Sequence, residues 1–248
     1  MPVRLASSSR SGQTAGPMAL QRPLPRDLSR RLTAEALGTG LLVMAVIGSG
    51  IMASRLSPAD VGLQLLENAA ATAGALIGLI LVFGVVSGAH FNPVVTWVDR
   101  AFGSIGTVDA LAYTAAQIVG GCLGAVVANL MFDLPAVEWS TTTRSSGALW
   151  LSEVVATVGL LVVIHGCVRG GRPSAVPYAV GVWIGGAYWF TSSTSFANPA
   201  VTVARMLSDT FAGIRPSSVP GFLGAQIAGG VVAFGLVRFL FPEVKEAS

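Results

Sequence analysis

The sequence predicts an all-α membrane protein of six transmembrane helices and two re-entrant half-helices, arranged as an inverted repeat. Hydrophobic residues make up 52% of the 248 positions and charged residues only 11%, whereas soluble domains carry about 25% charged residues. The motif Asn-Pro-x-Val-Thr also occurs twice, at 92–96 and at 198–202. The composition predicts the membrane class, and the repeated motif predicts that both halves share one architecture.

Six apolar runs form the predicted membrane domain, which covers 32–242. Each run holds about 20 residues, enough to cross a hydrocarbon core of about 30 Å as a helix. The runs lie near 33–53, 67–89, 111–131, 148–168, 175–193 and 219–241.

Two tails flank this domain. Residues 1–31 are rich in Ser, Arg and Pro and lack the apolar core of a secretory signal, so we expect a disordered N-terminal tail, with Met1 or Met18 as its start. Residues 243–248 form a short C-terminal tail.

The membrane domain divides into two halves of three spans each, one over about 32–135 and the other over about 147–242. Because three is odd, the second half enters the membrane from the opposite side. This predicts an inverted-topology repeat, whose site lies at the interface of the halves near the midplane.

Arginine and lysine predict the orientation, because both favour the cytoplasmic side of short loops. With the N-terminus inside, 11 of the 15 basic residues lie in cytoplasmic segments. We therefore expect a multi-pass protein of the plasma membrane with both termini in the cytoplasm. The basic excess suits an anionic lipid leaflet and needs no nucleic-acid partner.

The two Asn-Pro pairs are typical of helix starts. Asn is a favoured N-cap, and Pro fits the first helical position because its missing N–H would be unpaired there. Short runs follow at 94–102 and 200–208. Neither can span a bilayer, so each is predicted to be a half-helix that starts near the midplane, where irregular backbone must be buried or line a cavity.

These residues resemble the major intrinsic protein family, the aquaporins and glycerol facilitators. SGAHFNPVVT (87–96) is similar to the first family box, with Val94 in place of Ala, and FANPAVT (196–202) is similar to the second. The resemblance extends over about 32–241. It implies the aquaporin-like fold of a channel domain and, by analogy alone, a homotetramer with one pore per subunit.

The resemblance implies a constriction where the half-helices meet. There a water or hydroxylated solute would turn its oxygen toward two side-chain amides, while the converging helix dipoles oppose cations and proton transfer. The implied constriction residues are Asn92, Pro93, Val94, Asn198, Pro199 and Ala200. Glu35 and Glu153 match family glutamates that accept hydrogen bonds from the re-entrant backbones; otherwise, each is a glutamate in the first turn of its helix.

The selectivity filter departs from the family pattern. Most members place an arginine directly after the second box, where this chain has Val201. Counting family offsets back from the two asparagines gives Thr72, Gly186 and Ser195 as the other three filter positions. All four residues are small or slim and uncharged, so we expect a wide mouth that passes polyols or similar neutral solutes.

Arg205 is the candidate vestibule charge, four residues after Val201 and therefore one helical turn along the same face. Either it replaces the filter arginine from a displaced position, or it pairs with a loop carboxylate such as Asp209. The stretch 201–216 is also similar to a bacterial subgroup associated with arsenic-resistance genes. That similarity implies neutral arsenous acid, a metalloid solute that resembles glycerol in its hydrogen bonding.

The predicted function is a passive channel for water and small neutral solutes such as glycerol or arsenous acid. Two alternatives are a strict water channel and an energised secondary transporter, whose ion coupling needs ionisable residues such as His90 and His165 in the spans. An adhesive scaffold is a further class. We expect no enzyme, cofactor or metal site, because the two histidines lie in different halves and no Cys/His/Asp cluster has ligand spacing. His165 is expected to be a buried histidine with its hydrogen bonds satisfied.

Overall fold

The computed structural model describes residues 27–242, which contain helices and turns but no strand. Residues 1–26 of the predicted N-terminal tail and the predicted C-terminal tail, 243–248, lie outside the described residues. The eight helices are α1 Leu28–Leu56, α2 Val61–Ser87, α3 Pro93–Ala101, α4 Thr107–Met131, α5 Gly147–Arg169, α6 Val176–Phe190, α7 Pro199–Ala204 and α8 Val219–Leu240. Short 3₁₀ turns occupy Pro173–Ala175, Arg205–Leu207 and Pro216–Ser218.

Five helices, α1, α2, α4, α5 and α8, are long and apolar enough to cross a membrane. The fifth predicted span, 175–193, is shorter in the structure, because α6 has 15 residues and the chain turns to extended backbone at Thr191. The first span is longer than predicted. Asp27 caps α1 by accepting a hydrogen bond from the Ser29 amide, so the helix begins inside the stretch predicted to be a tail.

The helices pack as two similar groups. In the first half α1 packs against α2 and α4, and in the second half α5 packs against α6 and α8. The groups meet where α2 packs on α6 and where the half-helices α3 and α7 approach each other. Both Asp27 and Pro242 lie at one end of the molecule, which we call the inner end; the other is the outer end.

Small residues allow the closest helix contact, that of α1 with α4. A Cβ added to Gly120 would overlap the carbonyl oxygen of Ala36, and one added to Gly124 would overlap that of Gly40. Close backbone approach through small residues is the usual way in which helices associate in lipid. It fixes α1 and α4 around the first re-entrant segment.

Candidate functional site

The two half-helices begin at the asparagines, as the Asn-Pro pairs predicted. The Asn92 side-chain oxygen accepts a hydrogen bond from the Val94 amide at 3.0 Å. The Asn198 oxygen accepts bonds from the amides of Ala200 and Val201 at 3.0 and 3.3 Å. Both are N-cap interactions, and they orient each side chain at the positive end of its helix.

The asparagines also join the two halves. The Asn92 amide nitrogen donates to the Ala197 carbonyl at 2.7 Å, and that of Asn198 donates to the Phe91 carbonyl at 2.7 Å. A side-chain amide carries two N–H groups, so each asparagine retains one more. Both asparagines line the central cavity, which places two fixed hydrogen-bond donors beside the same passage.

Glu35 binds the backbone of the first re-entrant segment, which leads into Asn92. This fully buried carboxylate accepts hydrogen bonds from the amides of His90 at 3.0 Å and Phe91 at 2.7 Å. It also accepts from the Ser87 hydroxyl at 2.6 Å and the Gln117 side chain at 2.8 Å. A buried carboxylate is tolerated only when its oxygens accept hydrogen bonds, and these four donors satisfy Glu35.

Glu153 repeats this arrangement in the second half. It is fully buried and accepts from the amides of Phe196 at 2.9 Å and Ala197 at 2.8 Å. The Ser193 hydroxyl at 2.6 Å and the Gln226 side chain at 2.7 Å complete the set. The two networks therefore match residue for residue, so the inverted repeat extends to its polar contacts.

The re-entrant backbone alternates between two conformations. Ala89 and Phe91 have φ of 50° and 49°, and Ser195 and Ala197 have φ of 54° and 47°. Left-handed backbone is costly for residues with a Cβ and persists only where the surroundings fix it. Here the glutamates bind the amides on one side, and the carbonyls of Phe91 and Ala197 reach the asparagines on the other.

One cavity of about 770 Å³ runs along the interface of the two halves. At the inner end Arg169 and Ser174 line it, the two asparagines lie in the middle, and Thr72 and Arg205 lie toward the outer end. Its walls are mostly apolar side chains from α2, α5 and α6. Such a path offers a transported molecule polar contacts on a few sides only.

The filter position predicted at Gly186 is wrong. Gly186 is exposed on α6 and does not line the cavity. Tyr188 lines the cavity instead, only 3% exposed, and its hydroxyl is 3.1 Å from that of Thr72. Residues two apart lie on nearly opposite faces of a helix. The offset assumed a fixed spacing between the filter residue of α6 and Asn198, and in this chain α6 continues to Phe190.

The other filter predictions, Thr72, Ser195 and Val201, all lie in the cavity wall and are buried. The Ser195 hydroxyl is buried without a hydrogen-bond partner. Thr72, Tyr188 and Ser195 therefore bring three hydroxyl groups to the outer part of the cavity.

Arg205 is buried, at 2% exposure, and also lines the cavity. Its Nε donates to the Ala212 carbonyl, and its guanidinium lies 3.4 Å from the centre of the Phe196 ring. The alternative of pairing with Asp209 is not seen among residues 27–242, where Asp209 accepts from the amide and hydroxyl of Thr141. Side chains in a helix point back toward its N-terminus, which returns this guanidinium toward the filter.

A second arginine lies close to the Phe196 ring. Arg144, in the loop before α5, has its guanidinium 5.3 Å from the centre of the Phe196 ring and donates to the Gly213 carbonyl at 2.8 Å. Burial lowers the pKa of Arg144, although the charge of Glu153 opposes this. The outer end therefore concentrates positive charge around one aromatic ring.

Sequence reasoning missed two cavity residues, Tyr188 and Asp99. Asp99 lines the inner part of the cavity and lies 2.9 Å from the Nε2 of His90. A signal for Asp99 was available, because it follows Asn92 by seven residues, as Arg205 follows Asn198. The expectation that His165 is satisfied is also wrong, since its Nε2 has no hydrogen-bond partner.

Comparison with known proteins places the chain in a family. The model of the major intrinsic protein family matches residues 25–190. Aquaglyceroporin AqpS of Rhizobium meliloti (strain 1021) is 51% identical over 219 residues, which cover 88% of this chain and 93% of that protein. Aquaporin Z of Photorhabdus laumondii is 30% identical over 233 residues, covering 86% and 98%.

A solved structure agrees with the fold. The aquaglyceroporin from Plasmodium falciparum superimposes with a TM-score of 0.68 at 20% identity, over 87% of this chain and 98% of that one. Together with the half-helices that meet at Asn92 and Asn198, these similarities establish that the chain belongs to the major intrinsic protein family of membrane channels.

Proposed function

We propose that the chain is a passive channel for water and small neutral hydroxylated solutes, with glycerol as the reference solute and arsenous acid as a candidate. The observation that carries this proposal is the pair of asparagine amides fixed beside one cavity by the capping and cross-repeat hydrogen bonds. Fixed donors replace the hydration of a passing oxygen without forming a tight complex, as conduction requires.

The relatives support a solute larger than water. A protein named an aquaglyceroporin shares 51% of its residues with this chain over most of both lengths. The filter of this chain is Thr72, Tyr188, Ser195 and Val201, with Arg205 as its charge. Tyr188 makes the mouth narrower than four small residues would, so small polyols and arsenous acid should pass while branched solutes should not.

The uncharged Val201 gives the first test. Val201→Arg should narrow the mouth and reduce glycerol flux more than water flux, because a long charged side chain would project beside Arg205 where the cavity wall now has the smaller, uncharged Val201. Glycerol permeability of proteoliposomes is the measurement, and Val201→Leu is the matched control for bulk without charge. Unchanged glycerol permeability in Val201→Arg would refute the filter assignment and the wide-pore proposal.

A strict water channel is the second candidate, and one observation favours it. The hydroxyls of Tyr188 and Thr72 lie 3.1 Å apart and join α2 to α6 at the outer part of the cavity. If the bond closes that part of the path to carbon chains, water passes alone. Water permeation without glycerol permeation in the unmodified protein selects this candidate.

We also propose a plasma-membrane location with both termini in the cytoplasm, supported by the 11 basic residues in the segments that the sequence predicts to be cytoplasmic, and a homotetramer by family analogy. The inner end is then the cytoplasmic end. Labelling of single cysteines placed at Arg172 and Arg215, in intact cells, tests the orientation. Only the Arg215 site should react with a membrane-impermeant reagent added outside.

A further inference from the structure

The two histidines of the chain meet at one carboxylate in the cavity wall. The sequence holds only His90 and His165, 75 residues apart and in different halves. The Nε2 of His90 is 2.9 Å from one Asp99 oxygen, and the Nε2 of His165 is 3.7 Å from the other. All three residues line the inner part of the cavity.

The hydrogen bonds around His90 fix its protonation. Its Nδ1 is 3.0 Å from the Thr96 hydroxyl, which also receives a hydrogen bond from Gln117 at 3.0 Å and donates to the Asn92 carbonyl at 3.1 Å. A hydroxyl has one hydrogen and two lone pairs. All three contacts of Thr96 are satisfied together only if Nδ1 carries a hydrogen. Because Nε2 faces a carboxylate, it carries the second, and His90 is an imidazolium.

The second repeat supports this assignment. Thr202 has the same position as Thr96, donates to the Asn198 carbonyl at 2.8 Å and accepts from Gln226 at 2.9 Å. The residue equivalent to His90 is Phe196, so no ring nitrogen competes for the hydroxyl hydrogen of Thr202. The threonine hydrogen therefore belongs to the asparagine carbonyl in both halves, and His90 supplies its own.

His165 is the unprotonated partner. Its buried Nε2 has no hydrogen-bond partner, and 3.7 Å to Asp99 exceeds the 2.7–3.2 Å typical of a hydrogen bond. The Phe102 ring packs at 4.9 Å from the imidazole. An imidazolium at this position would be a donor aimed at a carboxylate, and the gap would close.

Other charges surround the cluster. Glu35 and Arg31 of α1 and the Tyr113 ring of α4 face His90, which also faces Asp99 of α3. His165 is under the fields of Asp99, of His90 and of Arg169 on its own helix. With Glu35 fully bonded and Asp99 paired to His90, the cluster has one vacant proton position, the Nε2 of His165.

We propose that His90, Asp99 and His165 form a proton-binding site that lowers solute flux when the inner side becomes acidic. A proton taken from water by the His165 Nε2 makes an N–H donor, which closes onto the free Asp99 oxygen. The carboxylate then bridges two imidazoliums and ties α5 to α3 across the inner part of the cavity, with one added positive charge. Raising the pH returns the proton to water and reopens the path. The flux half of this proposal rests on the proposed function.

Histidine NMR tests the proton site directly, because the chain has only two imidazoles. The full-length protein, labelled with ¹⁵N-histidine in lipid nanodiscs, should show at pH 7.5 one ring with both nitrogens protonated and one neutral ring. His165→Gln should remove the neutral ring. Lowering the pH to 5.5 should protonate His165, within the range where histidines change charge. Two neutral rings at pH 7.5, or a His165 that stays neutral at pH 5.5, would overturn the site.

Asp99→Asn separates a proton site from a packing role. It should return His90 to a neutral ring, whereas Asp133→Asn, an exposed carboxylate in the outer loop, should leave both rings unchanged. An imidazolium that survives in Asp99→Asn would contradict the proposed pairing.

Glycerol flux provides the second test of the proposal. Glycerol permeability of the unmodified protein should fall at least twofold from pH 7.5 to pH 5.5 on the inner side, and His165→Gln should make the permeability of the variant equal at the two pH values. Permeability that is equal at both pH values would refute the coupling to flux. If the unmodified protein passes no glycerol at either pH, the proposed function fails, whereas the proton site is still judged by the two imidazole spectra.

Discussion

At the scale of single residues, the buried carboxylates set the shape of both re-entrant segments. Glu153 receives four hydrogen bonds and so compensates the left-handed backbone of Ser195 and Ala197. An amide in its place would turn an N–H₂ group toward donors and leave at least two of them unsatisfied.

Glu153→Gln should therefore lower the free energy of unfolding by about 2–4 kcal/mol and reduce water permeability. Thermal unfolding of the purified protein in detergent is the measurement, with the exposed loop residue Glu138 changed to Gln as the matched control. An unfolding temperature equal to that of the control would show that the carboxylate does not hold the segment.

Tyr188 and Tyr178 form a matched pair on α6, because one lines the cavity and the other is 53% exposed. Tyr188→Ala should raise glycerol permeability severalfold more than water permeability, since it removes the large ring beside Thr72. Tyr178→Ala should change neither. Equal responses of the two variants would place the constriction elsewhere.

Arg205 should oppose the passage of cations through its own positive charge. Replacing it by Gln removes the cation that stacks on Phe196 and should raise sodium and proton leak through proteoliposomes, because nothing else positive lines that part of the cavity among the described residues. Arg215→Gln, an exposed arginine of the same outer segment, is the control. Background leak in Arg205→Gln would reject the displaced-charge role.

Some residues of the site could be predicted from the sequence, and others could not. Asn92 and Asn198 were predictable because their role is local: each caps the helix that follows. Gly186 was misplaced because an offset across a loop depends on where α6 ends. The meeting of His165 with Asp99 joins side chains of α5 and α3 that lie far apart in the chain, and no local pattern encodes it.

At the scale of elements, contact between α1 and α4 positions the first half of the site. Most helix positions tolerate alanine better than glycine, but Gly120 packs against the backbone of Ala36. Gly120 and Gly124 lie about one turn apart on α4, and both pack against the backbone of α1.

Gly120→Ala should destabilise the protein by about 1–3 kcal/mol, because the added methyl forces the two helices apart. Gly224→Ala, on α8 with open space around its Cα, should be neutral or stabilising by up to about 1 kcal/mol. Unfolding temperatures of the two variants give the comparison. A neutral Gly120→Ala would contradict the close contact.

At the scale of the whole molecule, the inverted repeat produces a cavity whose inner and outer ends have different side chains at equivalent positions. Equivalent positions hold His90 and Asp99 at the inner side but Phe196 and Arg205 at the outer side. The repeated Asn-Pro motifs, together with Glu35 and Glu153, predicted the fold class correctly. We expect the differences between the halves to decide selectivity, and repeated motifs do not predict them, because each difference is a single residue at an equivalent position.

In the proposed function the cavity conducts small neutral solutes without an energy source. The decisive measurement is stopped-flow light scattering of proteoliposomes under an inward glycerol gradient. We predict rapid swelling that rises in proportion to glycerol concentration, has low temperature dependence and is unchanged when proton and sodium gradients are abolished. Saturable swelling that needs an ion gradient would contradict the channel and indicate a coupled transporter, which could then use the histidine cluster at the inner end.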